Sequence, residues 1–492
     1  MDTKWSHRGW RYAVLASLLL LASIAPASDD VRVWGRNEVG QLGLGTTDGI
    51  PHPTPVSVPG LANVVKIKGS APGGGGMAEG RSLALLSNGT VMGWGRNSDG
   101  EVGIGSAGPP VVSPTQVVNL AQVLDICAGS YTSYAVLSNG TVKSWGSGTL
   151  GAIGDGASIA RPSPVLVSGL TNVTSVAAGQ WFALALLQNG TVRAWGYNGV
   201  GQLGIGATGG THLTPEAVTG LTNVKAIAAG RSISLALLND GTVRAWGDSI
   251  STPVTVAGLT NVVAIEAGLT AMALLGDGTV KLLTWSGGSV TAASISGLTN
   301  VAAIAMGRNH SLALLQNGTM LGWGPNTYGE VGDGTTTPRN TPVVIPGLSN
   351  VVAISAGHFH SLALTSATLN LPPLVGAGQD ASVALPAAAS LAGFARDDGR
   401  PNPPGTLTLA WSKVSGPGTA IFGNAAAAVT TASFSRQGVY VLQLSASDGA
   451  LTSTSTVTIT CSGHWPGDVN DDGVVNVDDL NLVISNFGRT YP

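Results

Sequence analysis

Short apolar runs, separated by glycine and polar punctuation, fill most of this chain. One unit stands out between Gly297 and Gly334. Gly297-Leu298-Thr299-Asn300 leads into the run Val301 to Ala305, and a turn at Gly307 leads into Ser311-Leu312-Ala313-Leu314-Leu315. Asn317-Gly318 then precedes Thr319 to Trp323. The unit closes through Gly324, Asn326 and Gly329-Glu330-Val331-Gly332, with Gly334 beyond. Runs of about five residues are strand length and too short for helices. Asn-Gly between two such runs predicts a hairpin with two free residues, because both positions tolerate positive φ. The pair recurs at Asn88, Asn139, Asn189 and Asn317, with Asp240-Gly241 and Asp277-Gly278 in the related places. Each unit therefore predicts an antiparallel sheet of three to four strands.

The units repeat. Trp34, Trp94, Trp145, Trp195, Trp246, Trp285 and Trp323 recur at a spacing of roughly 38–60 residues, which signals a radial or solenoid array. All but Trp285 are followed by glycine. A small sheet cannot bury both faces alone, so its copies must stack, and closing them into a ring leaves only short edges. The first unit supplies only its Trp half, Val31 to Gly45, and the last only its opening half, Asn350 to Leu364. Together they complete one blade, which clasps the ring and sets the count at seven.

The Ala-Gly-x-x-His-Ser-Leu-Ala-Leu strand, the Asn-Gly-x-Val-x-x-Trp-Gly hairpin and the loop Gly201-Gln202-Leu203-Gly204 resemble the regulator-of-chromosome-condensation (RCC1) repeat family. The resemblance covers residues 31–365 and implies a seven-bladed β-propeller. The departures also carry information. Trp246 and Trp285 lack the glycine loop, so two blades are expected to be clipped. An insertion between Ile67 and Ser82 contains Gly73-Gly74-Gly75-Gly76 and is expected to be a mobile loop. The repeat histidine survives only at His310 and His360.

Asn370-Leu371-Pro372-Pro373 breaks the composition and places a linker at 366–373. Residues 374–460 show alternating strands at Ala381 to Leu385, Leu407 to Trp411, Val439 to Leu444 and Ser455 to Ile459. Several short strands over such a length predict a β-sandwich. Gly438-x-Tyr440-x-Leu442-x-Leu444 with Asp448-Gly449 resembles immunoglobulin-like and PKD-type modules, usually spacers, with Trp411 as the core aromatic. The expected fold class is thus all-β: a seven-bladed propeller, a sandwich, and a short C-terminal calcium-loop and helix module at 467–492.

That last module carries the sharpest chemical motif. Asp468, Asn470, Asp472, Asn476 and Asp479 stand at loop positions one, three, five, nine and twelve. Gly473 stands at the sharp turn, and Val474 at seven offers its carbonyl. This is the EF-hand register, with Asp in place of the usual final Glu, so calcium is the expected ligand. Leu480, Val483, Ile484 and Phe487 then follow at helical spacing as an exiting amphipathic helix. No helix can enter the loop through Ser462-Gly463-His464-Trp465-Pro466-Gly467. The asymmetry resembles a type I dockerin, which implies calcium and a cohesin-type scaffold as partner. A full dockerin carries two such loops and this chain has one. Positions ten and eleven, a Ser/Thr pair in dockerins, are here Val477 and Asp478.

Composition narrows the partners. Of 492 residues 71 are glycine, about twice the ordinary fraction, and they fall at regular places, marking turns. Charged residues make up 10% and the formal net charge is −3, so nothing is basic enough to follow phosphate, which argues against nucleic acid. Lys4, Arg8 and Arg11, an apolar stretch from Tyr12 to Ile24, and Ala25-Pro26-Ala27 read as an export signal over 1–27. No later run is apolar enough to span a bilayer, so the expected product is secreted or held at the cell surface. Cys127 and Cys461 are too isolated to make a disulfide framework.

Catalysis finds no foothold. Glu101 and Glu330 occupy the slot held by Gln41 and Gln202 in other units, so they belong to the repeat rather than to an acid/base pair. No nucleophile elbow, zinc spacing or phosphate loop is present. His310 and His360 read as strand histidines hydrogen-bonded within their own blades. The exposed positions after each blade glycine differ from blade to blade: Tyr131, Trp181, Arg231, Arg308, His358 and Phe359. Aromatics and arginines on a rigid ring make good anchors. The expectation is an exported, non-catalytic scaffold of bacterial type that recognises an extracellular protein or polysaccharide. Alternatives are an accessory component of a polysaccharide-degrading, cellulosome-like system, a proteinaceous inhibitor, and guanine-nucleotide exchange as implied by the family.

Overall fold

The computed structural model of the chain describes residues 30–74, 79–366, 373–397, 407–463 and 477–486. It divides into two compact units, 1–369 and 370–492. No described helix is long and apolar enough to cross a membrane.

The first unit is a ring of seven four-stranded antiparallel sheets. Six blades are continuous in sequence. Blade 1 spans 64–116, blade 2 123–166, blade 3 173–217, blade 4 224–255, blade 5 262–294 and blade 6 301–344. Blade 7 is composite: strands Val351–Ala356 and His360–Thr365 pair with Asp30–Asn37 and Asp48–Ser57. Its register runs from Asp30 opposite Thr365 to Gly35 opposite His360. The two ends of the array thus close one sheet, as the half-units predict.

Each blade runs inner strand, second strand, hairpin, tryptophan strand, then outer strand. The first turn and the loop after the tryptophan strand therefore share one face, the upper one, and the hairpins lie on the other. The hairpins form at every Asn-Gly, but not with the expected backbone. Only the glycine takes positive φ, as at Gly89 (+80°) and Gly190 (+76°). The asparagine instead accepts a hydrogen bond from the threonine two residues on: Thr90 N–H to Asn88 Oδ1 at 3.0 Å, Thr191 N–H to Asn189 Oδ1 at 3.1 Å. An acceptor oxygen is all the turn requires, and Asp240 and Asp277 serve equally, at 2.9 and 2.8 Å.

The glycine loop and the tryptophan interlock between neighbouring blades. A Cβ added to Gly204 of blade 3 would stand 2.7 Å from the Trp246 indole of blade 4. At Gly43, Gly103, Gly154 and Gly332 it would meet the next blade's indole at 2.8, 2.6, 2.6 and 2.5 Å. Only glycine lets the loop lie flat on the ring, and its positive φ (+69° at Gly204) forbids a side chain independently. The five covered tryptophans, Trp34, Trp94, Trp145, Trp195 and Trp246, are fully buried. Four donate their N–H to a carbonyl of the preceding blade's loop, for example Trp246 to Gln202 O at 2.9 Å and Trp34 to Glu330 O at 2.8 Å.

Blades 4 and 5 are clipped, as their sequences predict. Two-residue turns replace their loops, with positive φ at Asp248 and Ser249 in one and at Gly287 and Gly288 in the other. With no loop to cover them, Trp285 of blade 5 and Trp323 of blade 6 are only partly buried.

The second unit is a β-sandwich. One sheet orders Ala381–Ala384, Thr452–Ser462, Gly438–Ser447 and Thr408–Ser415; another orders Ala389–Ala392, Val429–Phe434 and Ala420–Phe422. Trp411 lies in its core with Phe434, Tyr440, Leu442 and Leu444. The sequence pattern missed the second of these sheets because its strands are short and alternate with alanine, threonine and serine. A helix forms at Val477–Asn486, but Leu480 and Val483, expected on its buried face, are 56% and 43% exposed.

Candidate functional site

The upper face is assembled from the first turn of each blade, near the ring axis, and the glycine loops further out. Beneath it the repeat is rigidly self-stapled. Gln41, Glu101, Gln202 and Glu330 each use one side-chain oxygen to accept the backbone N–H two residues earlier, at 3.0, 2.8, 3.0 and 2.8 Å. Their backbone carbonyls accept a serine hydroxyl from the next blade: Ser82, Ser133, Ser234 and Ser361. Amide or carboxylate serves equally as acceptor, which explains why Gln and Glu exchange in this slot. Burial pushes Glu330 up to about 7, against the hydrogen bonds of its own and the Tyr328 backbone N–H and the charge of Arg36.

His310 and His360 do not bond within their blades. His310 Nε2 stands 2.8 Å from Ser361 Oγ of blade 7, and His360 Nε2 stands 2.9 Å from Ser82 Oγ of blade 1. At the same position of blade 1, Arg81 donates to Ser133 Oγ, Ser130 O, Gly129 O and Thr132 O of blade 2, at 2.6–2.8 Å. The repeat directs this side chain sideways, so a polar residue there becomes a strut between blades. Burial depresses His310 to about 4 and His360 to about 3, so both rings are neutral at physiological pH.

The structure brings the six variable positions onto one face but does not leave all of them open. The insertion expected to be a mobile loop is, at Ala71 to Gly74 and at Glu79, packed across the inner turns. Ala71 N–H bonds Ala128 O at 2.9 Å, and Ser130 Oγ donates to Pro72 O at 2.7 Å. Arg308 Nη1 reaches Gly73 O at 3.4 Å. With its amide oxygen turned toward them, Gln180 accepts from the Gly74 N–H at 2.9 Å and the Trp181 indole at 3.2 Å. Blade 1 thus touches blades 2, 3 and 6 across the top. Residues 75–78 of the insertion lie outside the described residues.

Two expected anchors lie under this insertion. Tyr131 is 8% exposed and His358 is fully buried. The Tyr131 hydroxyl donates to Glu79, and its ring stacks on Trp181 at 4.0 Å and carries Arg96 at 4.7 Å. His358 Nδ1 stands 2.9 Å from the Gly73 nitrogen and 3.1 Å from Glu79 Oε2, and its Nε2 stands 3.1 Å from Arg308. Burial, then the charge of Arg308, holds it near 3. The Gly73 N–H donates to Nδ1, and the Arg308 guanidinium faces Nε2. Arg231 is exposed, and Trp181, Arg308 and Phe359 are half-buried. Phe359 lies beneath the guanidinium groups of Arg36 and Arg308, both 5.5 Å from its ring, and beside Tyr328. Sequence reasoning missed Tyr328, Arg36 and Arg96. Tyr328 and Arg96 follow the tryptophan strands of blades 6 and 1 and reach the next blade's first turn, at Phe359 and Tyr131. Arg36 instead lies near the end of the tryptophan strand of blade 7, over Phe359 of its own blade.

Of the expected calcium ligands, Asp468, Asn470, Asp472, Val474 and Asn476 lie outside the described residues. Asp479 is 2% exposed in the first turn of the helix. Among the described residues no group of three or more His, Cys, Asp or Glu could hold a metal. The export segment 1–27 also lies outside them.

The comparisons with known proteins match this geometry. The model of the "Regulator of chromosome condensation (RCC1) repeat" matches residues 29–72, 88–136, 139–186, 189–237 and 317–364. A second model of the same description matches 123–152, 173–202 and 301–330. Most of clipped blades 4 and 5 falls outside both. A PKD-domain model matches 377–461. Protein RCC2 of Homo sapiens is 33% identical over 132 residues, which is 26% of this chain and 24% of that one. The probable E3 ubiquitin-protein ligase HERC6 of Homo sapiens is 33% identical over 125 residues, 25% of this chain and 12% of that one. The alignments thus span about a quarter or less of these relatives. Among solved structures, Prp20p from Saccharomyces cerevisiae, described with its binding to Gsp1p and histones, superposes with a TM-score of 0.62 at 23% identity. It covers 72% of this chain and 94% of its own. Human WBSCR16 gives 0.60 at 21% identity, covering 70% and 100%. These similarities carry the propeller fold.

Proposed function

This chain is an RCC1-repeat protein with a PKD domain, and we propose that it is a non-catalytic scaffold that grips a protein partner on its upper face. One observation carries the reading. Two adjacent first-turn positions hold Arg231 and Arg308 at one and Trp181 and Phe359 at the other, on a framework whose recurring Gln, Glu and Ser groups staple the repeat to itself. Rigid aromatic and arginine anchors on a preorganised surface suit protein recognition. The carboxylates that recur in the repeat are occupied: Glu101 and Glu330 as loop acceptors, Asp240 and Asp277 as hairpin acceptors, and Asp155 and Asp333 in ion pairs with Arg161 and Arg339. The ligase designation belongs to HERC6, of which the similar segment is 12%.

The reading includes export, with the PKD domain as a spacer and the tail as a calcium-dependent module. Its support is the charged and apolar order of residues 1–27, the in-register oxygens from Asp468 to Asp479, and a buried carboxylate at the last of them. Calcium would neutralise carboxylates that otherwise repel one another, coupling binding to folding of the tail. A role beside polysaccharide-degrading enzymes follows only if the tail docks onto a cohesin-type scaffold.

The test is affinity capture of extracellular proteins on the full chain, beside a Trp181→Ala/Arg231→Ala double variant, each in calcium and in chelator. A partner held by the wild type and lost by the variant is expected. Equal retention on both would remove the upper face from the reading. Loss in chelator alone would assign the interaction to the tail.

A further inference from the structure

The inner strands of all seven blades line a channel along the ring axis, with a cavity of about 130 Å³. Its upper end is crossed by the insertion, whose Ala71 forms part of the lining. The wall is mostly alanine, valine and isoleucine, yet four charged side chains stand in it: Lys66, Lys68, Asp125 and Glu266. Two of them neutralise each other, since Lys66 and Asp125, on adjacent blades, form a buried ion pair. The other two form no ion pair among the described residues. Lys68 and Glu266 occupy the same level of the inner strand, on blades 1 and 5, and so face each other from across the axis. Cys127 and Ser355 flank Lys68 at that level on blades 2 and 7; the remaining three blades carry alanine there.

Lys68 and Glu266 are half-buried, and a charge held in a narrow channel without a close partner is costly. Burial lowers Lys68, but Glu266, then Cys127 and Asp125, outweigh it and hold the ammonium above its ordinary range. Burial raises Glu266, against the pull of Lys68 and Lys66. The channel as a whole is neutral, with two cations and two anions. A simple anion would satisfy Lys68 and leave Glu266 bare, and a simple cation the reverse. A molecule carrying both charges satisfies both ends at once. The space holds on the order of ten waters by volume, enough for a small molecule and too little for a peptide.

We propose that this channel is a binding site for a small zwitterion of amino-acid type, its carboxylate held by Lys68 and its ammonium by Glu266. Ser355 and the Cys127 thiol border the carboxylate end, and the alanine wall limits the bulk of whatever lies between the charges. The site is separate from the upper-face surface and does not depend on it.

The experiment uses the full chain at low ionic strength and the series glycine, β-alanine, 4-aminobutanoate and 5-aminopentanoate, with butanoate and butylammonium as singly charged controls. Calorimetric titration and thermal melting are read for each. At least one member of the series should raise Tm by about 2–4 °C at saturation, and neither control should. The member with the largest effect reports the span between the two charges. Lys68→Met and Glu266→Gln should each weaken its binding by at least tenfold. The bound molecule should also slow alkylation of Cys127 while leaving Cys461 unchanged. If no member binds, or the controls bind as well, the channel holds only water and the proposal fails on the wild-type protein alone. Binding that survives both substitutions would also overturn it.

Discussion

At the start of the second strand, blades 6, 7 and 1 carry polar side chains that reach the next blade, whereas blades 3, 4 and 5 carry apolar ones. The first group places His310, His360 and Arg81, each bonded into the next blade. The second places Phe182, Ile233 and Ala271, all buried and apolar. The glycine loop that covers the next blade's tryptophan is also missing only in the second group, over Trp285 and Trp323. The polar struts flank the composite blade, the one place where the chain must pair residues about 330 apart. An apolar contact tolerates a slipped or half-closed arrangement; a buried guanidinium or imidazole finds its partners in one arrangement only. The side of the ring away from the clasp needs less specification, and two of its blades, 4 and 5, lack the loop.

Removing residues 30–57 is expected to give the largest effect. Without them strand His360–Thr365 has an open edge and the ring no long-range closure. Small-angle scattering should show an expanded chain, and the cooperative melting transition should disappear. A compact, cooperatively melting product would show that the clasp is dispensable.

Next come substitutions that set the two regions against each other. Trp195→Ala removes a fully buried indole and its hydrogen bond to Ala152 O, and should cost about 3–5 kcal/mol in urea unfolding. Trp285→Ala, in a half-covered site, should cost less than about half of that. Arg81→Ala strands the buried carbonyls of Gly129 and Ser130, while Thr132 O keeps the Gly129 N–H, and should also cost about 3–5 kcal/mol. Equal penalties at Trp195 and Trp285 would erase the distinction between covered and clipped blades.

Much of this contrast can be read in the sequence. Missing glycine loops after Trp246 and Trp285 announce the clipped blades, and the half-units announce the clasp. Local spacing sufficed because each feature lives within one repeat. What could not be read is non-local. Nothing near His310 or His360 names a serine of the next blade as partner. His358 shares the register of exposed Arg231, and Tyr131 that of half-buried Trp181, and only the insertion, 285 residues from His358 at Gly73, buries them. The hairpins show a subtler failure. The dipeptide was recognised, but the physical role of its asparagine was not, because a side-chain acceptor and a left-handed backbone favour the same residue.

A pH series sharpens the comparison at smaller magnitude. An unfolded imidazole takes up its proton near pH 6.5. In the folded state His310 waits until about 4 and His360 until about 3. The unfolded chain therefore binds more protons in that interval, so stability is full above about pH 6.5 and declines as pH falls toward 4, by at most ~3 kcal/mol per histidine. His310→Gln and His360→Gln, which keep a polar contact to the serine, should flatten that slope. Glu330 acts with the opposite sign: raised to about 7, it lowers stability as pH rises through that value. An acid slope unchanged by both histidine substitutions would mean that the struts do not set the response of the closure.

The hairpins should give the smallest effects, and they test whether the two regions differ throughout or only at particular positions. Intact blade 3 turns on Asn189, and clipped blade 4 on Asp240. Both oxygens accept the same threonine N–H, at 3.1 and 2.9 Å. Asn189→Asp and Asp240→Asn should each change unfolding free energy by less than about 0.5 kcal/mol. Asn189→Gly separates the two possible roles of the residue. If a left-handed backbone were required there, glycine would be neutral or stabilising. Because Asn189 does not take positive φ, glycine only deletes the acceptor and adds chain entropy, and a loss of about 0.5–1 kcal/mol is expected. A gain would return the hairpin to the backbone-driven form that its dipeptide first suggests.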